Sequence, residues 1–568
     1  MRTPTLPPEL VAVLADRQDA GSTVDPIALL SQASNIREIE RMGSGEWTIL
    51  YSHEPGIGTT GGKCFYSALI PRTRVRKAMK NDSWEVMIGK GLPSFSQGYD
   101  GDKVTMRYDR FGFSQVEPLV FVREFHSLKP EQFDLLEEFR HFHNLYHDRK
   151  NDRYIFIDER GEDEVVVEAS DARVRVKTRY LKQFMAVRQL SLAVYFDHRV
   201  DTTVDIEVAK QALPSRTVVE KELRYSFNVG DLSLSPAVTF SRLVGKKIIA
   251  PPPIEECGVW PFETRKDRFT EFIIGVDANG RNILYTADED ELANYFGRNP
   301  GSPHYLTPVW FRREVLRKYY DNPDKYSVED GHLGCGSLWG LRIDNDLPDH
   351  IVVFLGDLGK LHYDEQLYWK SFNIPPATDR SSEVHFKRSY LAEFADPASP
   401  DLVLKQKLVG LQEAWQHRYG WQLFRRLQHD DAHVIKQIRV PLSDTTAEFD
   451  RQVLLLAKLL IDSLDDAQLV EELGGALPDE RSIGKFDRFL ALKGYPHRDR
   501  DIKLLRAIQA ARSTGAAHRR GEHFRKTRTE LQLDEREVSD VFRELLSRVN
   551  QMLVGLLTYF VPEVAPHC

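Results

Sequence analysis

The sequence predicts an α+β protein with a β-rich N-terminal half that carries packed helices, followed by an all-α helical bundle at the C-terminal end. Between residues 45 and 200, short runs of β-branched and aromatic residues alternate with Gly, Asp and Asn turns, which is typical of strands. From about residue 400, apolar residues recur every three or four positions, as on the buried face of a helix. With 568 residues, 41% of them hydrophobic, the chain can form several cores.

Strand patterns dominate the first predicted domain, residues 1–250. A helix is predicted over residues 130–147, where four apolar residues form a stripe from Leu135 to Tyr146. A second helix, at about 178–188, precedes a strand over 190–196 whose alternation predicts burial of one face only. The remaining predicted strands cover residues 46–51, 64–70, 84–88, 104–108, 119–122, 154–157 and 164–167.

The proline run at 250–253 predicts a domain boundary, because consecutive prolines favour extended geometry. A middle α+β module, residues 254–376, follows it. The module begins with a hairpin over 271–285 that contains the turn signal Asn279-Gly280. Its other predicted elements are helices over 288–296 and 308–320 and strands over 336–343 and 350–355.

Helical periodicity takes over from about residue 401, within a connecting region assigned to residues 377–440. The C-terminal domain, residues 441–568, is predicted as a bundle of at least four helices with short connections. The segment 447–464 is apolar on a wide face, which suits a buried bundle helix. The predicted helices cover residues 402–420, 447–464, 480–492, 501–517 and 534–560.

Composition restricts the functional classes. The net charge of −8 gives no global attraction to nucleic acid, so any such binding needs a local basic patch. The four cysteines are far apart and form no C-x-x-C pair, which argues against a zinc ribbon or a disulfide scaffold and fits a reducing compartment. The N-terminus lacks the pattern of a secretory signal, and the apolar run 552–561 is too short to span a bilayer. The sequence predicts a cytoplasmic protein with no membrane partner.

Two sets of potential metal ligands each have a structural alternative. Asp344, Asp346 and Asp357 flank predicted strands, as ligands in metal hydrolases do, but turn capping explains them better. His143 and His147 have the i, i+4 spacing of a metal pair, but no H-E-x-x-H pattern accompanies them. Exposed or core-packed histidines are the better interpretation.

The segment 501–526 is where chemistry is expected, because it joins an apolar helical stripe to a basic cluster. Within it, Arg512 and His518 fit an R-x(4–6)-H motif. The pattern is common by chance, and only this copy lies near the end of a predicted bundle helix inside a basic cluster. The other copies are Arg140/His147, Arg298/His304, Arg380/His385 and Arg426/His433.

This placement resembles the HEPN superfamily (higher eukaryotes and prokaryotes nucleotide-binding), whose ribonuclease members carry the motif late in a helical bundle. The resemblance covers about residues 441–560 and rests on the motif and the order of helices. Where the family more often has Asn, Asp or His after the arginine, this chain has Ser513. The resemblance implies a homodimeric endoribonuclease of the kind found in bacterial antiphage and toxin systems. The β-rich half is then expected to regulate it in response to a protein or small-molecule trigger.

Metal-independent cleavage of RNA would assign a role to each residue of the motif. The RNA's own 2′-OH attacks the adjacent phosphorus, so the enzyme must transfer protons and stabilise charge on the phosphorane oxygens. His518 suits proton transfer and Arg512 suits the charge, with Ser513 as a further hydrogen-bond donor. No metal and no cofactor is predicted. The candidates for RNA binding, with His523 also a weaker candidate for proton transfer, are Arg519, Arg520, His523, Arg525 and Lys526.

Geometry limits this hypothesis. In an unbroken helix, six positions correspond to a rotation of roughly 240° and a rise of about 9 Å, so Arg512 and His518 would face different directions. A kink near Gly515, or a second protomer, is needed to bring them together.

Two alternatives stay open. The chain could be a non-catalytic sensor or scaffold, whose bundle mediates dimerisation or binds a nucleotide or a partner, with Arg512 capping a helix end. It could also be a different enzyme whose site lies in the β-rich half.

Overall fold

The two periodicities of the sequence, alternation near the N-terminus and helical spacing near the C-terminus, lead to different architectures. The computed structural model is a mixed α+β protein with a β-rich N-terminal half and a helical C-terminal region. It divides into an N-terminal unit, Met1–Asp158 with Glu162–Lys266, and a C-terminal unit, Glu159–Gly161 with Asp267–Cys568. The finer division into four segments stays a prediction. The structure describes residues 35–55, 62–80, 93–110, 116–123, 125–126, 128–170, 173–202, 205–212, 214–231, 239–263, 268–376, 382–427, 431, 433–515 and 535–562.

Antiparallel pairing joins most strands of the N-terminal unit into one sheet, in the order β13-β14-β15-β12-β2-β1-β11-β10-β9-β8, with β5 beside β2. The pairs β3–β4 and β6–β7 form separate hairpins. All predicted strands of this half are confirmed except 84–88, which lies outside the described residues. The strands are β1 (Trp47–Pro55), β2 (Gly62–Pro71), β3 (Pro93–Asp100), β4 (Lys103–Arg110), β5 (Glu117–Pro118), β6 (Val120–Arg123), β7 (Gln132–Leu135), β8 (Tyr146–Asp148), β9 (Arg153–Ile157), β10 (Asp163–Ser170), β11 (Arg173–Lys177), β12 (Leu190–Thr202), β13 (Arg216–Val219), β14 (Leu223–Asp231) and β15 (Thr239–Ile249).

The central strand β12 is buried on both faces along residues 190–196, so the prediction of a half-buried strand is wrong. Its Leu192 and Phe196 face the main core, where the predicted helix 178–188 also packs. Its Tyr195 faces a second, smaller core that includes Ala78. Alternation cannot reveal this second cover, because it comes from a segment more than a hundred residues away. The helices whose bounds the structure gives in this unit are α1 (Val75–Lys80), α2 (Glu137–Phe142), α3 (Thr178–Arg188) and α4 (Ile206–Ala212), and residues 35–41 are also helical.

The helix predicted over residues 130–147 is wrong, and only the short helix α2 lies within that range. Leu135 belongs to strand β7 and pairs with Val120. Asn144, with φ of 49°, adopts the left-handed conformation just after the helix, and Tyr146, which is 63% exposed, begins strand β8. The apolar spacing suggested one helix because Leu135, Phe139 and Phe142 pack in the same core, although they belong to a strand and a short helix. The fourth position, Tyr146, faces solvent.

Burial of His143 predicts a pH dependence of stability. Its Nε2 lies 2.9 Å from the carbonyl oxygen of Tyr180, and burial lowers its pKa from 6.5 to about 4. The unfolded chain therefore binds the proton more tightly, and the stability present above about pH 6.5 is lost as pH falls toward 4. The loss between pH 7.5 and 5 should be about 2 kcal/mol.

Urea unfolding at those two pH values checks this prediction. The His143→Gln variant keeps an amide donor for Tyr180 but does not titrate, so its stability should change with pH by about 2 kcal/mol less than that of the wild type. His141, exposed on the same helix, provides the matched control His141→Gln. His198, whose pKa burial lowers to about 3, and His385, whose pKa burial also lowers, contribute to the dependence that remains. Equal pH profiles for His143→Gln and wild type would contradict the prediction.

The first part of the C-terminal unit contains the predicted hairpin, confirmed as β16 paired with β17. The predicted helix 288–296 is wrong, because the side-chain oxygen of Asn294 accepts hydrogen bonds from the N–H groups of Phe296 and Arg298 and holds an irregular loop. The predicted helix 308–320 begins as a strand. The elements are β16 (Glu271–Val276), β17 (Asn282–Thr286), β18 (Pro308–Arg312), β19 (Tyr326–Glu329), β20 (His332–Cys335), β21 (Trp339–Arg342), β22 (His350–Phe354), β23 (Asn373–Ile374), α5 (Arg317–Asp321), α6 (Leu355–Gly359), α7 (Tyr363–Lys370) and α8 (Glu383–Tyr390).

Helices that share one apolar core complete the C-terminal unit. Helix α9 packs along α15, and α11 packs along α14. The five predicted helices are confirmed within their described residues, while α10 and α12 were not predicted. None of the described helices combines the length and the apolar character that crossing a membrane requires. The helices are α9 (Pro400–Tyr419), α10 (His433–Gln437), α11 (Thr446–Ala457), continued by a π-helical turn (Lys458–Asp462), α12 (Asp466–Leu473), α13 (Ser482–Leu492), α14 (Arg498–Gly515) and α15 (Val538–Phe560).

Candidate functional site

Helix α14 presents Arg512 at the edge of the helical core. Ile502, Leu505 and Ile508 are buried along one side of the helix, as their spacing predicts. Arg512 follows in the last turn described, where a cation is favourably placed against the helix dipole. Its side chain is 35% exposed, so the guanidinium is partly accessible from solvent.

An ion pair fixes the position of the Arg512 guanidinium. Its Nη1 donates to both carboxylate oxygens of Asp462, at 2.7 and 2.8 Å. Asp462 ends the π-helical turn after α11 and is itself 43% exposed. Any phosphate that approaches Arg512 therefore meets a carboxylate already bound there, and it has to share or displace that carboxylate.

Ser513 is occupied within its own helix. Its hydroxyl donates to the carbonyl oxygen of Gln509 at 2.5 Å, one turn earlier. This bond uses the only proton of the hydroxyl, so in this conformation Ser513 can accept a hydrogen bond from a ligand but cannot donate one. To act as the predicted donor, the side chain has to rotate away from Gln509.

The rest of the predicted site lies outside the described residues. The geometry between Arg512 and His518 therefore stays a prediction, as does the binding of phosphates by the basic cluster. The predicted residues concerned are His518, Arg519, Arg520, His523, Arg525 and Lys526.

The three carboxylates considered as metal ligands accept hydrogen bonds from backbone and side-chain donors. Asp344 Oδ2 accepts from the N–H of Ser382 at 2.7 Å, and Asp346 Oδ1 accepts from the N–H groups of Ala398 and Ser399. Asp357 Oδ1 accepts from the hydroxyl of Tyr305 at 2.7 Å. These contacts agree with capping, and no cluster of three or more potential ligands with metal-binding geometry occurs among the described residues.

Asp344 and Asp346 also line a polar cleft of about 330 Å³ together with His385. Opposite charges already neutralise much of this cleft, since Arg388 donates two hydrogen bonds of 2.7 Å to Asp330. Burial lowers the pKa of His385 and raises that of Asp346. The cleft is polar, and Arg388 and Asp330 within it are paired with each other.

A larger cleft, which the sequence did not reveal, lies at the opposite end of α14 from Arg512. Pro496, His497 and Arg500 line one side of it, and one face of α15 lines the other. The signal that could have indicated it is the combination of aromatic, histidine and arginine residues at 495–500, immediately before and within the first turn of α14.

Comparisons with protein-family models, with curated proteins and with solved structures gave no match to this chain. Its function therefore has to be inferred from its own residues.

Proposed function

We propose that this protein is a metal-independent endoribonuclease that acts through its R-x5-H motif at a dimer interface of the C-terminal bundle. The observation that supports it most is the position of Arg512. A partly exposed guanidinium, held at the end of a bundle helix, immediately precedes a segment rich in histidine and arginine. Such a fork can contact two oxygens of one phosphate.

The proposed reaction is an internal transesterification of RNA. His518 accepts the proton of the 2′-OH as its oxygen attacks phosphorus, and the bond from phosphorus to the 5′-oxygen breaks. The leaving 5′-oxygen takes a proton from water, so the products are a 2′,3′-cyclic phosphate and a 5′-OH end. Arg512 stabilises the negative charge that develops on the phosphorane oxygens. Arg519, Arg520, Arg525 and Lys526 bind flanking phosphates, so RNA affinity should fall as salt rises.

A homodimer solves the geometric difficulty within the motif. Since six positions of an unbroken helix would turn Arg512 and His518 away from each other, antiparallel or crossing copies of the motif segment from two protomers can place the arginine of one beside the histidine of its partner. In bacteria, such an enzyme would serve as an antiphage or toxin effector in the cytoplasm, with its β-rich half restraining the nuclease until a trigger binds.

A second candidate is favoured by the ion pair of Arg512 with Asp462. In a non-catalytic sensor or scaffold, the only role of this ion pair would be to connect α14 to the π-helical turn after α11. Replacement of either residue would then alter stability modestly, by about 1 kcal/mol or less, because the pair is partly exposed. Neither replacement would affect a reaction on RNA.

Cleavage of total RNA and of tRNA in the presence of EDTA tests the proposal. We expect products with 2′,3′-cyclic phosphate ends from the full-length chain or from residues 267–568 tested separately, since the β-rich half could restrain the enzyme. Absence of cleavage by both proteins would reject the ribonuclease and favour the scaffold. Cleavage that needs added metal would point to a different enzyme.

A further inference from the structure

Strand β17 leaves one side of its hairpin without a neighbouring strand. Its pairing with β16 begins at a tight turn, where the N–H of Asp277 donates to the carbonyl oxygen of Arg281 at 2.8 Å. Just past the end of β17, the N–H of Ala287 donates to the carbonyl oxygen of Thr270 at 3.1 Å. Since backbone groups at alternate positions point to opposite sides of a strand, those of the even-numbered residues face away from β16. These residues are Asn282, Leu284 and Thr286.

This open edge lacks the features that usually protect an edge strand. Neighbouring side chains of a strand point to opposite faces, and Ile283 and Leu284 are 43% and 47% exposed, so both faces reach solvent. Edges are commonly protected by lysine, by proline or by a bulge. Strand β17 contains neither residue, and the irregularity in the pairing lies on β16, between Ile273 and Gly275. Since no other strand pairs with this side of β17 among the described residues, the edge can accept a further strand.

An ordered loop next to this edge presents two aromatic rings to solvent. The hydroxyl oxygen of Tyr285, in β17, lies 3.2 Å from the carbonyl oxygen of Glu291 and connects the strand to the loop. The side chain of Asn294 holds the tip of the loop through hydrogen bonds of 2.9 and 3.2 Å. Tyr295 and Phe296, at this tip, are 80% and 97% exposed. Because their backbone is already held in place, they can contact a partner at little cost in conformational entropy.

Acidic residues dominate the same segment. Residues 271–298 contain six carboxylates and two guanidinium groups, and one guanidinium, that of Arg298, is already paired with Asp290 at 2.7 Å. A surface with this charge repels nucleic acid and a second copy of itself, and it attracts a basic partner. The six acidic residues are Glu271, Asp277, Asp288, Glu289, Asp290 and Glu291.

We propose that the open edge of β17 and the loop 288–297 together bind an extended, basic peptide segment of a partner protein. The peptide adds to β17 as a further strand and forms hydrogen bonds with the outward-facing N–H and C=O groups of Asn282 and Leu284. Its lysine or arginine side chains contact the rings of Tyr295 and Phe296 and the carboxylates of residues 288–291. The proposal is independent of the ribonuclease and holds whether or not the chain cleaves RNA.

Isothermal titration of the full-length chain with an acetylated octapeptide of four Lys-Val repeats tests the proposal. We expect a dissociation constant below about 1 mM. The octapeptide of four Glu-Val repeats should bind at least about tenfold more weakly, because the acidic surface repels it. The affinity of the Lys-Val peptide should also fall as the salt concentration rises.

A third peptide separates strand addition from attraction between charges. The Lys-Val octapeptide that is N-methylated at every residue keeps its charges and side chains, but its residues have no backbone N–H to donate to β17. It should bind at least about tenfold more weakly than the unmethylated peptide. Equal affinities would show that charge alone holds the peptide and would overturn the proposal.

Substitutions in the chain locate the binding. Leu284→Pro removes an outward-facing N–H, a loss that an edge strand tolerates, and should weaken binding of the Lys-Val peptide by at least about tenfold. The double variant Tyr295→Ala/Phe296→Ala should weaken it by at least about threefold, because the cationic side chains lose both rings. Phe394, which is fully exposed elsewhere in the C-terminal unit, provides the matched control Phe394→Ala, which should bind as the wild type does.

Failure of the Lys-Val peptide to bind at about 1 mM would overturn the proposal, as would equal affinities for wild type and a folded Leu284→Pro variant. Should Leu284→Pro fail to fold, the N-methylated peptide still decides, because it is tested against the wild-type chain. If Leu284→Pro instead lowers the molecular mass measured by sedimentation, the edge pairs with a second copy of the chain. That outcome also overturns the proposal.

Discussion

Replacement of Arg512 or His518 by alanine should reduce the rate of RNA cleavage in EDTA by at least about a hundredfold. A general acid–base residue typically contributes a factor of about 10²–10⁴, and a donor that stabilises developing charge contributes about 10²–10³. In Arg512→Ala, the negative charge on the phosphorane oxygens loses its guanidinium partner. In His518→Ala, the 2′-OH loses its proton acceptor. Single-turnover cleavage of a defined tRNA measures both effects.

Matched controls distinguish these roles from a general loss of charge or of folding. Arg506 lies on the same helix and is likewise ion-paired, with its Nη2 at 3.1 Å from an oxygen of Asp487. Arg506→Ala therefore removes a similar charge and pair and should keep the cleavage rate within about threefold, since exposed pairs contribute little. His417→Ala, at an exposed position of α9, serves the same purpose for His518. Cleavage that survives in His518→Ala would refute the assigned site.

The bundle should be destabilised by about 3–5 kcal/mol when Glu448 is replaced by leucine. Arg439 is fully buried, and its Nη2 donates to Glu448 Oε1 at 2.7 Å. Its next carboxylate, on Asp321, is 3.9 Å away, and its Nε has no hydrogen-bond partner among the described residues. Glu448→Leu therefore leaves a buried guanidinium whose remaining polar contacts are a hydrogen bond of 3.2 Å to the carbonyl oxygen of Gln437 and the more distant carboxylate of Asp321. Urea unfolding of the full-length chain measures the change.

Two further variants test whether the effect comes from the unpaired charge. In the double variant Arg439→Met/Glu448→Leu both charges are absent, so we expect it to recover most of the lost stability. Glu413→Leu breaks the exposed pair with Arg426, whose atoms are 3.4 Å apart, and should cost less than about 1 kcal/mol. A double variant as unstable as Glu448→Leu would show that packing, not charge, explains the loss.

Sequence periodicity by itself determined most of the helical bundle. The apolar spacing of α13, α14 and α15 places their buried residues on one face, so their positions could be predicted closely. The same holds for α3, whose predicted bounds 178–188 match the structure. These elements are long and amphipathic, and the information that specifies them lies within a few residues of each position.

Tertiary structure decided the local conformation and the burial of a segment wherever its pairing or packing partners are distant in the chain. Residues 130–147 have helical spacing but form two strands and a short helix, because β6 and β9 offer pairing partners. Strand β12 is buried on both faces only because a remote segment covers its second side.

The candidate sites depend on tertiary structure even more strongly. The motif marks Arg512, but its pair with Asp462, fifty residues earlier, follows from packing of α11 against α14. The cleft between Arg500 and Asn550 likewise joins two helices whose residues have no local relation. A repeating pattern encodes the environment of each residue along its own helix or strand. It does not encode which distant side chains the folded chain brings within hydrogen-bonding distance.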